Sequence, residues 1–149
     1  MSRTPLLLAA AMLAGCSRGD DGSFTLVADI AFYRTPVSGT FTVSDGWDAL
    51  GCSRGTFVGK PVSRKPPVTI LWVFSCTKGE RTGSFTIRFF PLLGQPNDGT
   101  DPPKPVEAPW RFESGTRDFT GLDGKGDLSM ELDGNNFSGV GTLTGNVAF

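Results

Sequence analysis

The chain has 149 residues, with 14 Lys+Arg against 15 Asp+Glu and no histidine. That length suits one domain with a sizeable core, and the near-neutral balance gives no reason to expect nucleic acid as a partner. Without histidine, the chain contains no Ser-His-Asp triad, no Cys-His pair and no His-ligated zinc site.

Residues 1–15 read as an export signal. Arg3 gives the basic start, Leu6 to Leu13 the apolar run, and Ala14-Gly15 the small residues before a cut. The run is too short for a spanning helix, which takes about 20 apolar residues. Leu13-Ala14-Gly15-Cys16 resembles the bacterial lipobox. The resemblance implies that Cys16 is lipidated, that cleavage precedes it, and that its acyl chains hold the protein at the membrane. Each buried methylene contributes about 0.8 kcal/mol and a single chain binds only marginally, so stable anchoring takes more than one. The alternative is a conventional cleaved signal with an incidental cysteine. Ser17 stands where an aspartate would favour inner-membrane retention. The implied address is the non-cytoplasmic side of the cell envelope, at the outer membrane if the source has two.

Residues 16–22 are polar and glycine-rich and read as a tether of about 20 Å at full extension. Its Arg18-Gly19-Asp20 triplet is a coincidence of small and charged residues. Residues 23–149 form a single all-β domain. Phe24, Leu26, Ala28, Ile30 and Phe32 alternate with Thr25, Val27, Asp29 and Ala31, the period of a strand with one face on a core. A second strand is expected near Gly39 to Ser44 and a third near Cys52 to Gly59. The fourth, Val68 to Thr77, is apolar on both faces and is expected to be the most buried. Lys78 to Arg81 turns it into Ser84 to Phe90, giving a hairpin.

Residues 91–109 hold six prolines and Asn97-Asp98-Gly99, so they read as a long Pro-rich loop. Strands are expected again at Trp110 to Glu113, Gly126 to Leu132 and Phe137 to Phe149. The sum is about eight strands with no helical period, hence an all-β domain, a barrel or a β-sandwich. Gly-[Ser/Thr]-Phe recurs at Gly22, Gly39, Gly55 and Gly83. Glycine there relieves crowding at a strand start while the aromatic faces the core.

If Cys16 carries lipid, Cys52 and Cys76 remain as an even pair, which an oxidising exterior would join as a disulfide; two buried thiols are the alternative. From Gly51 to Gly94 there are seven basic residues and only Glu80, a skew that reads as solvated loops and not as a binding face. Asp123 with Asp127, and Asp98 with Asp101, have calcium-like spacings without the full ligand set. No metal or cofactor is expected.

Cys52-x-x-Gly55-Thr56-Phe57, Cys76-x-x-Gly79 with Gly83-Ser84-Phe85-Thr86-Ile87, then Trp110 and Ser114-Gly115-Thr116-x-x-Phe119-x-Gly121-Leu122-x-Gly124-x-Gly126 resemble a family of small secreted bacterial β proteins. The glycine-rich segment is also similar to one in the dirigent and allene oxide cyclase barrels. The match covers about residues 52–130 and departs at Arg117, where the family generally has glycine. The resemblance implies an eight-stranded antiparallel barrel and transfers no catalytic residue.

Trp72, Phe74, Phe85, Phe89 and Trp110 are the candidate pocket residues, with ordinary core packing as the other reading. The expectation is a membrane-anchored, non-catalytic barrel that binds a small apolar ligand or an envelope protein. A His-independent isomerase or cyclase would have to draw on Glu80, Glu107, Glu113 or Glu131, which show no paired spacing. An integral outer-membrane barrel is the remaining alternative, raised by the terminal Leu143, Val147 and Phe149.

Overall fold

The computed structural model describes residues 22–32, 34, 36–60, 69–90, 106–133 and 138–149. The signal, Cys16 and residues 17–21 lie outside them, as does 91–105 of the Pro-rich stretch. Eight antiparallel strands close into a barrel in chain order: β1 Gly22–Ala31, β2 Ser38–Asp45, β3 Arg54–Lys60, β4 Ile70–Lys78, β5 Ser84–Phe89, β6 Val106–Gly115, β7 Lys125–Leu132 and β8 Ser138–Val147. Each strand pairs with the next, and β8 returns to β1 along the full ten residues of each. Closure settles the architecture as a barrel, because no sheet edge is left to belong to a sandwich.

Alternation along each strand sends one set of side chains inward. Phe24, Leu26, Ala28 and Ile30 of β1 are buried, as are Phe41 and Val43 of β2. Outward positions carry Thr40, Thr42, Thr56, Arg111 and Asp127, all exposed. The inside is therefore apolar, while the outside is mixed, with exposed Val58 and Val140 and half-buried Leu71 and Val73 among its polar residues.

Register explains the repeated Gly-x-Phe. Both the glycine and the phenylalanine face inward, two residues apart, and the antiparallel pairing of β2 with β3 sets Gly39 opposite Phe57 and Phe41 opposite Gly55. A methyl on Gly39 would run into the Asp29 carbonyl oxygen and lie 2.8 Å from the Phe57 ring, and one on Gly55 would run into the Ser75 carbonyl oxygen and lie 2.7 Å from the Phe41 ring. Ring and neighbouring backbone together occupy the space each glycine leaves empty. Register also sets Trp72 opposite Gly59, Phe85 opposite Gly115, Trp110 opposite Gly126 and Phe24 opposite Gly145, although methyls on Gly115 and Gly126 would meet neighbouring backbone before the paired ring.

Several expectations need correction. Strand β4 is not the most buried: Ile70 is exposed and Leu71 and Val73 are half-buried, whereas β5 buries Phe85, Thr86, Ile87 and Phe89. A closed barrel has one core, inside it, so an apolar outer face gains no second layer. Strand β6 begins at Val106 and not at Trp110, and it contains Pro109. The Pro109 carbonyl still accepts the Phe90 N–H at 3.0 Å, the last rung between β5 and β6, so the lost donor falls at the end of the ladder. A one-turn helix, α1 Trp47–Leu50, interrupts the β pattern between Gly46 and Gly51, both with positive φ. Arg117 opens a 3-10 turn, Arg117–Phe119, at φ 52, so the left-handed geometry that glycine would supply is kept with arginine in its place.

The even strands all end at one rim. Each of β2, β4 and β6 carries an extra residue there, at Ser44, Thr77 and Glu113, where the register shifts against the neighbouring strand. These bulges bend the strands where the barrel must coil. The same rim holds α1, the 3-10 turn and the Cys52–Cys76 disulfide, whose Cα atoms are 5.9 Å apart. Cys52 is fully buried and belongs to the core cluster.

Candidate functional site

All five candidate pocket side chains lie inside the barrel, within one continuous aromatic array. The Trp72 ring stacks on Phe57 at 4.9 Å and meets Phe89 edge-on at 4.8 Å. Phe74 lies 5.3 Å from Phe57 and 5.3 Å from Phe85, nearly parallel to the latter. Trp110 packs against Phe112 at 5.1 Å and Phe24 at 5.6 Å. The structure brings Trp72, Phe74, Phe85 and Phe89 into contact and sets Trp110 across from Phe89 through their strand pairing. None of the five is more than 6% exposed, so the rings themselves occupy the interior. The Trp110 indole N–H is buried with no hydrogen-bond partner among the described residues.

Open depressions mark the wall among the described residues. One, of about 630 Å³, lies over β6, β7 and β8, with the candidate residue Trp110, Gly126 and Gly145 among its lining and Phe90, Arg111 and Asp127 around it. The Arg111 guanidinium sits 5.4 Å from the Phe90 ring centre. Another, of about 540 Å³, is bounded by Arg34, Pro36, Ser38 and Val58. The candidate carboxylates are scattered over the same exterior. Glu80, Glu107, Glu113 and Glu131 are all exposed, and Glu113 is taken up by an ion pair with Arg88 at 2.5 Å. Among the described residues no group of His, Cys, Asp or Glu side chains could hold a metal ion, and Asp98 and Asp101 lie outside them.

The rim at the ends of the even strands is tied together by a chain of hydrogen bonds. The Trp47 carbonyl accepts the Gly51 N–H at 2.8 Å, and the Gly51 carbonyl accepts the Arg81 N–H at 3.0 Å. The Arg81 guanidinium lies 3.4 Å over the Phe149 ring and donates to the Asp118 carbonyl at 3.3 Å. Asp118 in turn accepts the Thr82 N–H at 2.8 Å and its hydroxyl at 3.1 Å. The Thr82 N–H, then its hydroxyl, hold the Asp118 carboxyl below its ordinary pKa, with Arg81 and Arg117 adding to the effect. Trp47 is 50% exposed and Phe149 42% exposed on this surface.

Sequence reading did not single out Trp47, Arg81 or the wall depressions. Trp47 lies between two glycines, Gly46 and Gly51, outside any strand parity, and that is the one signal the sequence offered. The depressions depend on which strands become neighbours, which only register supplies.

Among the described residues, no helix is long and apolar enough to cross a membrane. Comparison of the chain with protein-family models, with curated proteins and with solved structures found no match.

Proposed function

We propose that this chain is a lipid-anchored envelope protein whose barrel is a non-catalytic binding module that engages a protein partner through its exterior. One observation carries the choice of partner. The interior is filled by stacked rings, so among the described residues a small apolar ligand has no enclosed space beside Trp72, Phe74, Phe85 and Phe89, and the depression that Trp110 lines is open to solvent. The scattered, exposed carboxylates weigh against a His-independent isomerase or cyclase. A ring-filled apolar inside, and a wall that exposes Thr40, Thr42, Thr56, Arg111 and Asp127, weigh against a lipid-embedded barrel. The eight-stranded closure and the glycine-rich segment from Ser114 to Gly126 support kinship with the dirigent and allene oxide cyclase-like barrels. The lipobox-like Leu13 to Cys16 and the Cys52–Cys76 disulfide, which suits an oxidising compartment, support the envelope address.

Intact mass spectrometry of the protein from its native membrane, under conditions that keep bound molecules, tests this. The expected species begins at Cys16, carries acyl chains, keeps the disulfide and holds no small hydrophobic ligand. Cys16→Ala behind an ordinary cleavable signal is expected in the soluble fraction. A stoichiometric small molecule would overturn the packed-module reading, and an unacylated Cys16 the anchor.

A further inference from the structure

We propose that the rim bearing Trp47 and Phe149 is the face that rests on the bilayer, with both rings at the level of the lipid headgroups. The inference rests on the lipid-anchor reading above and adds an orientation to it.

The chain enters the barrel at this rim. Gly22, the first residue of β1, pairs with Val147, and the Ser23 carbonyl lies against Gly46, the residue before α1. Between Cys16 and Gly22 the backbone reaches at most about 20 Å. Ten-residue strands, about 30 Å long and tilted by about 35–45° as closure requires, make a wall about 21–25 Å high, so even a fully extended tether falls short of the opposite rim when the barrel stands upright. The wall also exposes Val58 and Val140, but they stand on separate strands, β3 and β8, so a barrel lying on its side would press mainly polar groups such as Thr42, Thr56, Arg111 and Asp127 toward the membrane.

The rim also carries suitable chemistry. An indole has an apolar body and one N–H donor, and such rings concentrate where headgroups meet acyl chains. Trp47 is held on a single helical turn whose end is bonded to Arg81, and Arg81 covers Phe149, so the two exposed rings belong to one braced surface. Arg54, Lys78 and Lys125 are interspersed there with Asp45, Asp48 and Glu80. With the signs mixed, contact depends on the rings and not on anionic lipid, and is expected to resist salt.

The test uses the acylated full-length mature protein in phosphatidylethanolamine and phosphatidylglycerol vesicles doped with phosphatidylcholine brominated high on its chains. Trp47 emission is taken as the difference between wild type and Trp47→Phe. The buried Trp72 and Trp110 report that the variant is folded, since their residual emission stays unchanged. The expected result is a blue shift and a loss of about half of the Trp47 emission, insensitive to added salt. If the acylated protein floats with vesicles while Trp47 escapes bromine and is quenched by acrylamide as in soluble Cys16→Ala, the orientation is overturned and the anchor stands. A tryptophan at the opposite rim, Ile70→Trp in the Trp47→Phe background, should escape bromine; its quenching would overturn the orientation as well. Protein that carries no acyl chains and does not float overturns both readings.

Discussion

On the inner surface Phe57 lies against Gly39 and Phe41 against Gly55, so each ring is positioned by an empty place on the next strand. On the outer surface the same strands carry Thr40, Thr42 and Thr56, which are exposed and touch mainly water. Successive residues of one strand thus have very different tolerances. Inside, identity is dictated by what stands across the ladder; outside, it is dictated by solubility and by strand preference for β-branched side chains.

Substitutions should expose this contrast. The largest effect is expected for Phe74→Ala, which empties a fully buried position between Phe57 and Phe85 and should cost about 3–5 kcal/mol in urea unfolding. Removing the disulfide with Cys52→Ala and Cys76→Ala should cost about 3 kcal/mol, read as a lower midpoint that reductant no longer shifts. Gly55→Ala forces a methyl against the Ser75 carbonyl oxygen and the Phe41 ring and should cost about 1–3 kcal/mol. Gly59→Ala places its methyl 3.3 Å from the Val37 carbonyl oxygen and 3.5 Å from Trp72 and should cost less than Gly55→Ala; equal losses would refute the account of close packing at Gly55. On the outside, a double-mutant cycle on Arg88 and Glu113 should return a coupling of about 0.2–1 kcal/mol, reduced by salt, because both side chains are about 30% exposed.

Parity was legible in the sequence because alternation is local: Phe24 to Ile30, Phe41 with Val43, and Trp72 with Phe74 all face the side that period two assigns them. The hairpin joining β4 to β5 and the partnership of Cys52 with Cys76 were legible for similar reasons, one from a turn segment and one from counting sulfurs. Beyond that range the reading failed for definable causes. Pro109 looked like a breaker, but a proline at the last rung of a ladder removes only one bond. The apolar outer face of β4 looked doubly buried, but a closed barrel gives it nothing to pack on. The reciprocal glycines were visible as a repeat, yet their function required knowing that β2 and β3 pair with Gly39 opposite Phe57. As for the candidate residues, Trp72, Phe74, Phe85, Phe89 and Trp110 were found as a group, while the distinction between pocket and packing needed distances.

The seam that joins β1 to β8 brings together the first and last strands of the domain. A chain delivered N-terminus first must therefore hold β1 with an unpaired edge until β8 has emerged, and no shorter product can close. Completion of synthesis and completion of folding then coincide, and a truncated copy is exposed as a sheet with two sticky sides.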